Sequence, residues 1–211
     1  MKLSVSQVKT YNASPAKWAG MYILWIKEDI SNDAFPLGNI FEKRLCFWDD
    51  DRTLLEWIEL QDKETFVADY DNLKHNAKGM QLPEWIQQYK VEWELIWQYW
   101  IWYVDLITDD CIYDIKTSRY LSDPESKSIN MWSNMTSYDE YALQLWVYMK
   151  LTGKTKAKII EVAKHKYKDE RVANQTIDFE LTKEFDEQMI NKRQPVINQM
   201  SDMYNKYSLS K

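Results

Sequence analysis

The chain has 211 residues, with 27 Lys and Arg against 33 Asp and Glu, two Cys, two His, four Gly and five Pro. At 45% hydrophobic and 28% charged it has the balance of a folded domain rather than a disordered one, and its length suits one domain with a helical insertion. Four glycines, arranged as neither GxGxxG nor GxxxxGK, exclude a Gly-rich phosphate-binding loop. Cys46 and Cys111 are far apart in the chain, which excludes a CxxC zinc site and a disulfide framework; an iron–sulfur cluster, needing four thiolates, is excluded with them. With His75 and His165 the only histidines, any chemistry falls to carboxylates, Lys, Tyr or Ser. The opening Met1-Lys2-Leu3-Ser4 lacks the apolar run of a signal peptide and no stretch approaches a membrane span, so the expectation is a cytoplasmic protein without membrane contact.

Ser4-Val5-Ser6-Gln7 has the form of a capping box and predicts a short helix to about Tyr11. Pro15 suits the first turn of a second helix through Ile26. From Leu37 a third helical stretch carries Ile40, Phe41, Leu45 and Phe47, with Glu42 among them. Asp51 can cap an acidic amphipathic region to about His75, which Gly79 to Pro83 ends. From Val91 to Tyr103 the period changes to two, rich in Trp, Tyr and Ile, which is a strand signal. Thr108-Asp109-Asp110 reads as a turn, and Cys111 to Thr117 as its partner strand. Ser137-Tyr138-Asp139-Glu140 opens a helix that Gly153 terminates. Ala157 to Val162 and Thr176 to Leu181 read as strands, and Lys183 to about Tyr207 as a long polar helix. The order predicts an α/β domain: a central mixed β-sheet flanked by helices, a single unit over 1–211 with a helical insertion at about 49–88.

The charge is uneven. Asp49 to Asp71 holds nine acidic and two basic residues, a net of −7, whereas Lys150 to Arg171 holds eight basic and three acidic, a net of +5. The basic run reads either as a solvated face or as a footprint for a polyanion.

A turn centred on Asp109-Asp110 pairs residues whose numbers sum to 219, which sets Asp105 opposite Asp114 with Cβ atoms about 4.5–5.5 Å apart. Two facing carboxylates repel unless a cation neutralises them, and a hard divalent ion such as Mg²⁺ takes oxygen ligands of this kind. Lys116, two residues on, shares the face of Asp114; beside a cation it could orient or deprotonate a water for attack on a phosphodiester. By themselves the three residues read equally as a salt-bridge cluster on a hairpin.

Asp105-Leu106-Ile107 followed by Tyr113-Asp114-Ile115-Lys116-Thr117-Ser118 resembles the paired metal motifs of the PD-(D/E)XK nuclease superfamily, in its RecB-like branch, where an Asp-aliphatic-Lys-Thr-Ser strand is typical. Gln144-Leu145-Trp146-Val147-Tyr148 is similar to the Gln-x₃-Tyr helix that follows the catalytic strand there, and Gly38-Asn39-Ile40-Phe41-Glu42 to the upstream helix presenting a Gly and then a carboxylate. The segment from Leu3 through Tyr11 and Pro15 resembles the branch's N-terminus, so the likeness runs in order from Leu3 to Val162. It implies a restriction-endonuclease-like core and a Mg²⁺- or Mn²⁺-dependent deoxyribonuclease, an exonuclease of phage or mobile-element recombination, end processing or CRISPR adaptation. Glu42, Asp105 and Asp114 would ligate the metal with the carbonyl of Ile115. Lys116 would be the catalytic lysine, and Gln144 and Tyr148 would touch the DNA backbone or position Lys116. Ser14 stands where iron–sulfur members carry Cys, and Val104 where others carry Pro, so no cluster is expected.

With DNA as substrate, Lys150, Lys154, Lys156 and Lys158 become candidate phosphate contacts. Three roles suit the insertion: gating DNA, forming a homo-oligomer interface, or docking a partner such as a single-strand annealing protein. Two alternatives stand beside the nuclease: a non-catalytic nuclease-fold protein that binds DNA or protein, and an interaction protein using the acidic helices and the Trp-rich strand.

Overall fold

The computed structural model describes residues 2–26, 37–38, 41, 63–80, 89–95, 98–130, 133–169 and 171–208. The N-terminus forms β1 (Lys2–Leu3), α1 (Val5–Ala13) and α2 (Pro15–Tyr22). Ser4 caps α1 by accepting the N–H of Gln7, and Ser14 caps α2 by accepting that of Lys17, with Pro15 in the first turn. The second helix stops at Tyr22, four residues before the expected Ile26. Within the expected insertion, α3 (Lys63–Asn76) is the described helix; the rest of the acidic stretch, and most of the one beginning at Leu37, lie outside the described residues.

The Trp-rich segment is two strands, not one. β2 (Tyr89–Leu95) and β3 (Gln98–Val104) pair antiparallel with Leu95 opposite Gln98, and β1 adds to β3 in parallel. An unbroken period of two hides a reversal, because a two-residue connection leaves the alternation in phase on either side.

The second sheet has the order β4 (Leu106–Ile107), β5 (Cys111–Ser118), β6 (Lys156–Ala163), β7 (Asn174–Glu180). β4 and β5 are antiparallel, β5 and β6 parallel, β6 and β7 antiparallel. The expected mixed sheet is therefore present. The parallel pair needs a crossover, and α4 (Ser137–Thr152) supplies it. Thr136, one residue before the expected cap, accepts the N–H of Asp139; Gly153 ends the helix at φ 72°, the left-handed conformation that favours glycine. The last helix, α5 (Lys183–Ser208), runs close to the expected span.

Both faces of the sheet are covered. Ile112, Ala157, Ile159, Ile177 and Phe179 meet α4, α1 and α5 on one face. Leu37, Phe41, Phe66, Tyr70 and Leu73 pack with Val162 on the other. Every residue of α4 from Tyr141 to Met149 is buried, as expected of a helix wedged between a sheet and other helices. Gln144 is the polar side chain in that run, so it must find partners.

Candidate active site

Alternation along β5 turns Ile112, Asp114 and Lys116 toward α4. Asp114 is 1% exposed. Its Oδ1 accepts from Gln144 Nε2 at 2.7 Å and lies 3.4 Å from the Tyr148 hydroxyl; Gln144 Nε2 and Tyr148 Oη are themselves 2.7 Å apart. Gln144 and Tyr148 reach one carboxylate together because i and i+4 share a helix face. Asp114 Oδ2 lies 2.5 Å from Lys116 Nζ, with a side chain 28% exposed, in a close ion pair that lacks the direction of a hydrogen bond. One oxygen is thus held by the helix, and the other opens toward a cation that reaches in from solvent.

The expected register is present: Leu106 pairs with Tyr113 and Ile107 with Ile112, both sums being 219, and the Thr108 N–H donates to the Cys111 carbonyl. Asp105 is next on that line, but the ladder stops short of it. It sits at the bend between β3 and β4, where the chain passes from one sheet to the other. Its Oδ2 accepts the Ile115 N–H at 2.9 Å, so the carboxylate stands in for the strand that has ended, where a face-to-face pair with Asp114 was expected. Asp105, Asp114, Ile115 and Lys116 are brought together, with Gln144 and Tyr148 behind them. Glu42 lies outside the described residues. Its upstream neighbour Gly38 is placed over the end of β5, where a Cβ would stand 3.4 Å from Thr117 Oγ1.

Beside Lys116 in the parallel register is Glu161, 0% exposed. Sequence reasoning missed it. Glu161 accepts from Ser122 N at 2.8 Å, Ser122 Oγ at 2.8 Å, Tyr141 Oη at 2.9 Å and Gln175 Nε2 at 2.7 Å. Burial and then the Glu161 charge push the Tyr141 phenol far up, so it keeps its proton and donates. The signal was available: a carboxylate inside an apolar parallel strand must be matched by donors.

The basic residues expected to meet DNA lie elsewhere. Cys111 pairs with Lys156 and Lys116 with Glu161, so the start of β6 is five residues, roughly 17 Å, from the Asp114 region. Lys158 projects from the opposite face of the sheet and pairs with Asp178 at 2.9 Å. Lys150 pairs with Asp186 at 2.9 Å and Lys154 reaches the Asp109 carbonyl. The structure does not bring these four to the carboxylates. Cys111 is buried, and burial pushes its thiol up, away from nucleophilic use.

Hard carboxylate oxygens, with the poorly satisfied Asp114 Oδ2 among them, fit a Mg²⁺-type ion, and the Lys116 ammonium stands where such a cation would be welcome. Among the described residues no three His, Cys, Asp or Glu side chains form a cluster able to hold a metal, so Asp105 and Asp114 are at most part of a ligand set. No helix among the described residues is long and apolar enough to cross a membrane.

No family model and no curated protein matches the chain. Solved structures resemble it. A "Putative exonuclease" from Eubacterium rectale superposes with a TM-score of 0.60 at 16% identity, covering 98% of this chain and 82% of that one. A phage related exonuclease from Haemophilus somnus gives a TM-score of 0.39 at 15% identity, covering 98% and 96%. At such identity the likeness is one of fold, and the Eubacterium rectale structure carries it.

Proposed function

We propose that the chain is a metal-dependent deoxyribonuclease, an exonuclease of the RecB-like Gln-x₃-Tyr branch that acts on DNA ends in phage or mobile-element recombination. One observation carries the reading. Asp114 is buried with Oδ1 held by α4 and Oδ2 facing Lys116 without a directed hydrogen bond. An almost wholly buried carboxylate so arranged is costly to stability unless it serves a cation or a reaction. The fold shared with a protein named as an exonuclease agrees with this.

Asp105 and Asp114, with the Ile115 carbonyl and Glu42, would hold Mg²⁺ or Mn²⁺, which polarises a phosphoryl oxygen. Gln144 and Tyr148 fix the Asp114 carboxylate, so that little reorganisation is needed as charge develops. Lys116 reaches the site from solvent, where its ammonium can orient a water and offset charge on the phosphate. Water attacks phosphorus in line, the bond to the leaving sugar oxygen breaks, and that oxygen gains a proton as the attacking water loses one.

The test is incubation of purified protein with end-labelled linear and circular DNA in Mg²⁺, Mn²⁺ or EDTA, with Asp114→Ala alongside. The reading expects metal-dependent loss of linear DNA, sparing circles and vanishing in the variant. Cleavage of circles would make it an endonuclease. DNA binding without turnover in either metal would favour a non-catalytic module, and cleavage surviving in Asp114→Ala would sink the assignment.

A further inference from the structure

Pairing of β5 with β6 continues past the strand ends. The Lys164 N–H donates to the Ser118 carbonyl at 2.7 Å and the His165 N–H to that of Arg119 at 3.1 Å. Flat side chains follow one another along these two connections. The Arg119 guanidinium lies 5.6 Å from the Tyr120 ring centroid, and that ring 4.9 Å from His165. His165 meets Tyr167 edge-on at 4.8 Å, and the Arg171 guanidinium stands 4.1 Å over Tyr167. Tyr120 is 51% exposed, and His165 and Tyr167 are partly so.

The row is held from beneath. Asn76, the last residue of α3 and 0% exposed, donates through Nδ2 to the Ala163 carbonyl at 2.6 Å and the His165 carbonyl at 3.0 Å, and accepts the Ala173 N–H at 3.2 Å. Lys166 and Lys168 are exposed beside it, while Lys164 pairs with Asp69 and Arg171 shares Asp169 at 3.8 Å. Half-exposed rings gain little from burial, and cations at both ends of the row add nothing to a core. Aromatic faces interleaved with cations are the chemistry that takes unpaired bases and their phosphates. A duplex, its bases already stacked, would have no use for the rings. The row also begins four residues beyond Lys116, roughly 13 Å along an extended chain.

We infer that Tyr120, His165 and Tyr167 form a stacking platform for unpaired bases at a DNA end, with Arg119, Lys166, Lys168 and Arg171 against its phosphates. The choice of DNA rests on the nuclease reading; the platform adds that the substrate is engaged as a single strand.

The test is fluorescence anisotropy in EDTA, with a labelled oligothymidylate of about 15 nucleotides and a blunt duplex of equal length, at about 50 and 200 mM salt. Wild type should prefer the single strand. Replacing both tyrosines (Tyr120→Ala with Tyr167→Ala) should weaken that binding about tenfold to a hundredfold, with the salt slope unchanged. The matching Phe pair should bind as wild type. Lys166→Gln with Lys168→Gln should lower the salt slope by about one. Equal binding of single strand and duplex, an Ala pair that binds as wild type, or a Phe pair that loses as much as the Ala pair would each overturn the platform. Ring-dependent binding by a protein that never cleaves DNA would sink the nuclease reading and leave the platform standing. Cleavage without a single-strand preference would do the reverse.

Discussion

Two neighbouring strands each bury a carboxylate on the same face of the sheet, and the two are treated in opposite ways. On β6, Glu161 takes four donors from three separate segments and has no capacity left over. On β5, Asp114 has two groups of α4 on one oxygen, and only a lysine that reaches in from solvent at the other. A carboxylate saturated by neutral donors cements the structure around it; one left part-satisfied keeps an affinity for something the fold does not provide. Burial alone would not have separated them, since their exposures are 0% and 1%.

Exchanging the two sites for neutral residues should break the symmetry most visibly. Asp114→Ala should reduce DNA cleavage at least about a thousandfold, while a thermal melt moves little, because an incompletely satisfied charge has been removed along with its desolvation cost. Glu161→Ala should do the opposite. Four donors lose their acceptor, and unfolding stability should fall by about 3–5 kcal/mol, read as a drop in denaturation midpoint; cleavage per folded molecule at low temperature should survive. If Glu161→Ala stayed stable and lost activity, the assignment of roles would be inverted.

Gln144→Ala sharpens the contrast at smaller scale. It removes the 2.7 Å donor from Asp114 Oδ1, and a lost orienting bond of this kind should lower turnover about tenfold to a hundredfold, with DNA affinity in EDTA unchanged. A third carboxylate, Asp186 on α5, gives the smallest effect. Burial alone would raise its pKa, but the Trp146 indole N–H at 2.7 Å and the Lys150 ammonium at 2.9 Å outweigh that and hold it below the ordinary carboxylate range. Its folded pKa being the lower one, its contribution is complete above the unfolded value near 3.9 and is lost as pH falls through the folded value. Melts from acid to neutral pH should show Asp186→Asn costing on the order of 1 kcal/mol at neutral pH and progressively less in acid.

What the sequence showed and hid follows the same physics. The register summing to 219, the caps at Ser4 and Ser14, and the Gly153 stop were legible because each depends on a few adjacent residues. The meeting of Gln144 and Tyr148 with Asp114 was foreshadowed by helical spacing, though the partner was expected to be Lys116 or DNA. The β2–β3 reversal was hidden because a two-residue connection leaves the period intact. Glu161 was hidden because its donors, Ser122, Tyr141 and Gln175, come from sequence separations of 39, 20 and 14 residues. The basic run misled for a third reason: composition says how much charge a segment carries, and only the register of β6 against β5 says at which end of the sheet it lies.

Asn76 gives the molecule a way to age. Its amide must point nitrogen at two carbonyls and oxygen at one N–H, and the aspartate left by hydrolysis would set a buried charge against those carbonyls. While folded, the side chain is closed to water. Heating opens it, and a molecule deamidated while open could not re-form this clamp. Time spent above the melting temperature would therefore be recorded at one atom pair, and recovery after heating should decline with exposure even where nothing aggregates.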